Sequence, residues 1–375
     1  MTTEAPQIDG TEDHPHARMV LGSALASGSP SHAYLFHGPP GTGKRTAARA
    51  LAAELLAEGE DDPDGARTRV LHGTHPDLTW VRPTGAHVMR VSDVDGAVVA
   101  AAGRTPFESK RRVFVLERVD TMNDEVANRL LKTLEEPPSF VHQILLTDQL
   151  GRVLETVVSR CQLVRFDPLP AERIAAMLEE EGVEPERALA AGRLALGNAS
   201  RARFLASEEG VALRGEVERL ALDALGATHT QVPWRGLLEG AEARRAAAEA
   251  AVEERKRERL EQEPRGRERS ALEREFDETA KRDGRRARTE VLELGLELAA
   301  IAFRDLVATS TGAQAAVLGT DRIAELARAA ENRDPVKLRQ AAEACEGTRS
   351  AFQLNVSEEL ALSALTFRLR ELVGA

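Results

Sequence analysis

The stretch Gly38-Pro39-Pro40-Gly41-Thr42-Gly43-Lys44 decides the fold of this chain. It follows the apolar run Ala33-Tyr34-Leu35-Phe36-His37, which predicts a short buried strand, and helical spacing continues from residue 46 to 56. A strand, a glycine-rich loop and a helix in this order are typical of a phosphate-binding loop. In such a loop, backbone N–H groups, the helix N-terminus and the lysine attract phosphate oxygens. The predicted nucleotide-binding residues are Gly38, Gly41, Thr42, Gly43, Lys44, Arg45 and Thr46.

Strands and helices alternate over the first part of the chain. Further apolar runs predict strands at residues 112–116, 143–147 and 163–166. An amphipathic helix is predicted from residue 123 to 134, because the prolines at 137 and 138 cannot continue it. This alternation builds a parallel sheet with helices on both faces. We therefore expect an α/β nucleotide-binding domain over residues 1–168.

The rest of the chain has helical patterns. It predicts a small helical lid over residues 169–208 and an all-α collar domain over residues 209–375. Residues 241–290 hold 15 Lys or Arg and 14 Asp or Glu, so we expect a charged helical hairpin at about 238–290. Such a hairpin is most simply a solvated arm, and a dedicated binding surface is the alternative.

The composition of the 375 residues, 42% hydrophobic and 30% charged, indicates a folded chain. A net charge of -11 repels nucleic-acid phosphates, so any contact with DNA is expected to be local or shared with partners. Cys161 and Cys345 are too few for a disulfide framework or a multi-cysteine zinc site. Neither an export signal nor an apolar run long enough for a membrane helix is recognisable. The expected location is cytoplasmic.

The positions that hold magnesium in phosphate-loop enzymes carry unusual residues here. The residue after the loop lysine is normally a Ser or Thr that ligates Mg²⁺, but Arg45 stands there, and Thr46 is turned away by about 100°. In these enzymes a metal-binding acid and a water-activating acid stand at the end of the strand that corresponds to residues 112–116. Here Glu117 and Arg118 occupy those two positions. If that strand continues, Asp120 lies on the face of Arg118 and is a weak substitute. We therefore expect poor hydrolysis and doubtful magnesium binding.

Three strings of residues together resemble the bacterial clamp-loader ATPase subunits of DNA polymerase III, which are AAA+ proteins. They are Ser31-His32-Ala33-Tyr34-Leu35-Phe36, Asn128-Arg129-Leu130-Leu131-Lys132-Thr133-Leu134-Glu135-Glu136-Pro137-Pro138 and Ser159-Arg160-Cys161. The resemblance extends from residue 17 to about residue 204. Leu354-Asn355-Val356 is similar to the family's C-terminal collar.

Within this family the chain departs from the active motor subunits and looks like the delta-prime branch. The motors carry the Walker A threonine, the Walker B acidic pair and a four-cysteine zinc module, whereas this chain has Arg45, Glu117 and Arg118 and no cysteine between residues 56 and 73. The resemblance implies a degenerate ATP site, with ATP possible and zinc absent. It also implies that residues 59–71 form a plain loop in place of the zinc module.

The resemblance assigns roles to three further residues. Arg160 is the arginine finger that acts in trans on a neighbouring subunit, and Thr147 and Arg201 fall at the two sensor positions. The implied partners are gamma or tau and delta subunits in a hetero-pentamer, which loads the sliding clamp on primed DNA during replication. The chain would then be a subunit of a DNA-directed DNA polymerase holoenzyme, with little or no ATPase activity of its own.

Other interpretations remain open at this point. The chain could be a catalytically active gamma or tau-type ATPase, or a stand-alone AAA+ switch whose hairpin binds an unrelated partner. Arg160 could be an ordinary surface arginine, Thr147 could only end its strand, and Cys161 could be a small buried hydrophobe.

Overall fold

The structure is a computed structural model that describes residues 8–84, 88–228, 231–261, 266–352 and 356–374. These residues form two compact units. The first contains the described residues up to Pro170 together with Leu196–Ala199, and the second contains Ala171–Ala195 and the described residues from Ser200 onward. The division into three domains stays a prediction.

The first unit contains a five-stranded parallel sheet. Its strands are β1 (Ala33–His37), β2 (Leu78–Val81), β3 (Arg112–Leu116), β4 (Val141–Thr147) and β5 (Gln162–Arg165). They lie in the order β2-β3-β4-β1-β5, so β1 is an interior strand between β4 and β5, and the phosphate loop leaves from its C-terminal end. Ligand sites in such sheets form at the C-terminal ends of the strands.

Two layers of helices surround the sheet in this unit. The helical segments are α1 (Pro15–Ala26), α2 (Lys44–Ala57), α3 (Pro63–His72), α4 (Val91–Val94), α5 (Ala100–Ala102), α6 (Asp124–Glu135) and α7 (Glu155–Val158). Tyr34 and Phe36 of β1 pack in a core with α1 and α2 residues, whereas Leu35 packs in a second core with α6 residues. Alternate side chains of β1 therefore enter opposite cores, as a sheet covered on both faces requires. The predicted α/β fold class is confirmed.

Two elements of this unit differ from the sequence-based expectations. The segment expected as a plain loop at residues 59–71 contains α3, because Asp62 caps it by accepting a hydrogen bond from Gly65 N at 3.0 Å and Ala66 and Val70 are buried on one face. β2, which was not predicted, has four residues, and it is too short for a clear alternation of burial. It pairs in parallel with β3.

The second unit is helical in its described residues. Its helices are α8 (Ala171–Glu180), α9 (Pro185–Leu194), α10 (Ala199–Ala206, from Ser200 onward in this unit), α11 (Glu208–Ala224), α12 (Arg235–Glu261), α13 (Arg267–Ser310), α14 (Ile323–Ala329), α15 (Pro335–Ala351) and α16 (Glu358–Val373). The long helices α12 and α13 pack against each other over the region predicted as a charged hairpin. Leu354 and Asn355, which carry part of the resemblance to the collar, lie outside the described residues. No helix among the described residues is long and apolar enough to cross a membrane.

Candidate nucleotide site

The backbone of the phosphate loop requires glycine at two positions where it comes close to other parts of the chain. Gly38 and Gly41 have φ values of 145° and 73°. A Cβ at Gly38 would lie 1.9 Å from the carbonyl oxygen of Phe166, and one at Gly41 would lie 1.7 Å from Oδ1 of Asn198. L-amino acids rarely adopt these φ values, and neither position has room for a side chain. The glycines therefore fix the curl of the loop ahead of α2.

Lys44, the first residue of α2, points back over the loop. Its side chain is buried, and Nζ donates hydrogen bonds to the carbonyl oxygens of Gly38 at 2.7 Å and Pro39 at 2.6 Å. Nζ also forms an ion pair with Asp148 Oδ1 at 2.7 Å. Burial lowers the pKa of Lys44 below its ordinary value, and the charge of Asp148 offsets only part of that effect. The charge that would meet a phosphate is thus already engaged within the chain.

The second cation of the loop, Arg45, pairs with the carboxylate that follows β3. Arg45 Nη2 lies 2.5 Å from Oε2 of Glu117, whose side chain is only 2% exposed. The other carboxylate oxygen, Oε1, accepts hydrogen bonds from Trp80 Nε1 at 2.7 Å and Arg82 Nε at 3.0 Å. Both oxygens of Glu117 are therefore engaged, Oε2 by an ion pair and Oε1 by two hydrogen bonds.

The surroundings of Glu117 keep it ionised. Burial by itself raises the pKa of this carboxyl, but the charge of Arg45, the hydrogen bond from Trp80 and the interaction with Arg82 outweigh burial and hold the pKa below its ordinary value. The group at the Walker B position is thus a buried carboxylate held by two guanidinium groups and an indole.

The residues after Glu117 do not continue the strand. β3 ends at Leu116, Arg118 has a φ of 56°, and residues 119–121 form a single helical turn that Thr121 closes by donating from its N and Oγ1 to Arg118 O. The expectation that Arg118 and Asp120 share a strand face is therefore wrong. Asp120 instead accepts a hydrogen bond from Thr147 Oγ1 at 2.8 Å. The predicted sensor Thr147 is thus positioned by the turn that follows β3.

The sequence of the first unit is similar to known DNA polymerase III subunits. A family model described as "DNA polymerase III, delta subunit" matches residues 13–170, less than half of the chain. A DNA polymerase III subunit delta' from Bacillus subtilis is 36% identical over 181 residues, and one from Pseudomonas aeruginosa is 38% identical over 168 residues. Residues 13–170 are therefore similar in sequence to delta and delta-prime subunits of DNA polymerase III.

The clamp-loader relatives are matched over part of their length. The aligned regions cover 47% and 41% of this chain for the two delta-prime proteins, and the chain spans about half of those relatives, 54% and 50%. The Replication factor C small subunit 1 of Pyrobaculum islandicum is 31% identical over 47% of this chain and 50% of its own length. Among solved structures, a gamma subunit-related protein of Thermotoga maritima aligns with 95% of this chain and 99% of its own at 15% identity, with a TM-score of 0.46.

Arg160 lies between α7 and β5, in the Ser-Arg-Cys string typical of the clamp-loader family. Its guanidinium donates to the carbonyl oxygen of Thr156 at 2.8 Å and forms an ion pair with Glu135 at the end of α6. Cys161 beside it has a pKa raised to about 12 by burial, so its thiol is not a reactive nucleophile. The ion pair of Arg160 with Glu135 thus connects the Ser159–Cys161 string with the Asn128–Pro138 string.

Arg201, predicted to take the second sensor position, lies on α10 in the helical unit. Its Nη1 donates to Oε1 of Glu297 on α13 at 2.8 Å.

Thr46 is exposed on the first turn of α2, and its Cβ lies 3.0 Å from where a Cβ at Gly10 would stand. The described residues bring together no group of three or more His, Cys, Asp or Glu side chains that could hold a metal ion. Zinc absence stays a prediction.

Sequence reasoning missed the partners of the predicted site residues. Asp148 follows directly after Thr147, and its place at the C-terminal end of β4 next to β1 was a signal that could have found it. Trp80 and Arg82 were missed because β2 was not predicted. Glu135 was named as part of a family string, without its ion pair.

Proposed function

We propose that this chain is a delta-prime-like subunit of the DNA polymerase III clamp loader, which helps to load the sliding clamp on primed DNA during replication. The proposal is supported by the match of residues 13–170 to the family and by the two delta-prime relatives. In this function the chain acts with gamma or tau and delta subunits, and contacts with the clamp and DNA are shared with them. The net charge of -11 agrees with a chain that does not bind DNA alone.

The single observation that carries the proposed role within the loader is the ion pair of Arg45 with Glu117. A motor subunit needs a metal ligand after the loop lysine and a carboxylate to activate water. Here Arg45 engages the buried carboxylate, and Arg118, which cannot act as a base because a guanidinium does not release its proton, follows it. These contacts support a subunit with a degenerate ATP site.

The role in trans belongs to Arg160. An arginine stabilises the γ-phosphate of a neighbouring site because its planar fork stays charged and donates several hydrogen bonds. Arg160 is at the surface of its own unit, and its ion pair is with an exposed carboxylate, so a partner's phosphate can compete for the guanidinium. Thr147 and Arg201 take the two sensor positions in the same proposal.

The first test is the composition of the complex that the chain forms. The tagged chain, recovered from its native cells, should bring down gamma or tau-type and delta subunits together in stoichiometric amounts. Recovery of the chain with unrelated proteins and without these subunits would contradict the proposed function and favour a stand-alone AAA+ switch.

The second test is the ATPase activity of the isolated chain, which should barely exceed background because no carboxylate follows Glu117 to activate water. Steady-state phosphate release measures it, with Lys44→Ala as the control. Turnover at the level of a motor subunit that Lys44→Ala abolishes would show an active gamma or tau-type ATPase instead.

A further inference from the structure

Arg45 lies at one of the two positions between which phosphate-loop enzymes hold magnesium. The hydroxyl after the loop lysine and the acid after the strand are the protein groups on either side of the ion. In this chain the two positions are joined directly, because Arg45 Nη2 and Glu117 Oε2 are 2.5 Å apart. The positively charged side chain of Arg45 therefore connects the two positions that would otherwise supply oxygen ligands to a magnesium ion.

The residues of this site do not fit a magnesium ion. Mg²⁺ prefers an octahedral shell of oxygen ligands. Arg45 supplies no oxygen, and both carboxylate oxygens of Glu117 are already engaged, one in an ion pair with Arg45 and the other in hydrogen bonds from Trp80 and Arg82. To reach Glu117, the ion would have to displace a guanidinium from a buried carboxylate, and breaking such a pair is costly.

We propose that Arg45 is the resident cation of this site, and that the loop binds a nucleoside di- or triphosphate free of divalent metal. This inference rests on the nucleotide site of the proposed function. It adds that the nucleotide is bound without a divalent metal ion. Nη2 contacts Glu117, while the side chain of Arg45 is 57% exposed, so other N–H groups of its fork can donate to phosphate oxygens. The backbone N–H groups of the glycine curl supply further donors, and Lys44 adds its charge where a phosphate displaces Asp148.

The local charge explains why the guanidinium replaces the metal rather than assisting it. A divalent ion beside Arg45 would be repelled by a like charge, whereas the guanidinium is held in place by its ion pair with Glu117 and needs no oxygen ligands of its own. The loop and Arg45 bind the phosphate charge without a metal ion that would fix the geometry of the β- and γ-phosphates. The site therefore binds a nucleotide without hydrolysing it.

The test measures binding of ADP and ATP to the full chain by isothermal titration calorimetry, once with excess Mg²⁺ and once with excess EDTA. The wild-type dissociation constant should be the same in both buffers or lower in EDTA. Arg45→Thr restores the usual hydroxyl, and its binding should become about tenfold tighter with Mg²⁺ than with EDTA.

Arg82→Thr is the matched control, because it removes the other guanidinium from Glu117 but leaves the position after Lys44 intact. It should bind equally in the two buffers, like the wild type. Thermal unfolding of each variant without nucleotide shows whether it is folded, and Glu117→Gln provides a second variant, which should keep metal-free binding because Arg45 is retained.

Three results would overturn the inference: wild-type binding that requires Mg²⁺, no wild-type binding in either buffer, or a metal dependence in Arg82→Thr equal to that of Arg45→Thr. Assembly with the loader subunits is measured separately. If the chain assembles normally but gives one of these results, the inference fails while the proposed function stands.

Discussion

Both cations of the phosphate loop are paired with carboxylates of the same chain. Lys44 pairs with Asp148 after β4, and Arg45 pairs with Glu117 after β3. The sequence alone predicts the loop and its lysine, because glycines and a lysine between strand and helix have few other uses. It does not predict the pairing, since each carboxylate comes from a different strand end and only the folded sheet brings it to the loop.

Asp148 competes with a phosphate for Lys44. We expect Asp148→Asn to bind ADP about two- to fivefold more tightly than the wild type, because an ion pair with a partly exposed partner contributes about 0.2–1 kcal/mol. Calorimetric titration measures the change. Asp61→Asn is the control, because Asp61 is exposed beyond the end of α2 opposite to Lys44 and should leave the affinity nearly unchanged. Equal or weaker binding by Asp148→Asn would show that the ion pair does not compete with the ligand.

The ionised form of Glu117 stabilises the fold. At neutral pH, Glu117→Gln should be about 1–3 kcal/mol less stable than the wild type, because charged hydrogen bonds to a buried carboxylate are lost. The folded-state pKa lies below the ordinary value of 4.5, so this contribution is complete above that value and is lost as the pH falls through the folded pKa.

Urea unfolding at several pH values measures this difference. It should be constant near neutrality and shrink in acid. Glu258→Gln, at an exposed position on α12, is the control and should match the wild type throughout. A difference between Glu117→Gln and the wild type that does not shrink in acid would mean that the charge of Glu117 is not its source.

Elements with a continuous apolar run were predictable from the sequence, and those with a weak or very short apolar pattern were not. β1 and β3 have the predicted bounds, because each is a continuous apolar run between polar residues. α3 carries charges on most of its surface, and its buried face consists of Ala66 and Val70, so its apolar period is weak in the sequence. Its cap residues, Asp62 and Gly73, were the signal that could have revealed it.

The charged hairpin is held at its base rather than along its length. Near the base, Arg288 forms an ion pair with Glu358 of α16, and the guanidinium of Arg244 lies 5.6 Å from the ring centre of Phe204. Farther out, α12 and α13 are joined by ion pairs with an exposed carboxylate, such as Lys256 with Asp277, and Val252 and Leu260 are among the buried apolar side chains. Exposed pairs of this kind contribute little to stability.

Removal of the distal hairpin should therefore leave the fold intact. Residues 250–283 can be replaced by a short Gly/Ser linker, because a Cβ at Gly284 would lie 2.7 Å from Cγ of Glu249 and the two helices are close there. We expect nearly the wild-type melting temperature by calorimetry. A longer deletion over residues 241–290 removes Arg244 and Arg288 and should melt lower. If the shorter deletion melts as low as the longer one, the distal arm packs on the rest of its unit.

The whole chain combines a unit with a clear family signature and a second unit that is recognisable mainly as helical. Residues 13–170 match the DNA polymerase III delta subunit family model, and the delta-prime relatives are matched over about half of their length. The α/β sheet uses a loop motif and buried strands that many residues specify together. Helical domains are specified by apolar spacing, which many sequences satisfy, so the function of the second unit cannot be derived from its pattern.

The central claim is that this chain supports ATP hydrolysis in a neighbour rather than in itself, and it is tested at Arg160. The measurement is steady-state ATP turnover of the reconstituted loader with clamp and primed DNA, at verified stoichiometry. Arginine fingers contribute about 10³ to 10⁵ in rate in well-studied nucleotide hydrolases, and a loader with several sites should lose less. Arg160→Ala should assemble normally and lower turnover through one lost site. Glu135→Gln, which breaks the ion pair but keeps the arginine, should retain wild-type turnover. Unchanged turnover with Arg160→Ala, or an equal loss with Glu135→Gln, would contradict the role in trans.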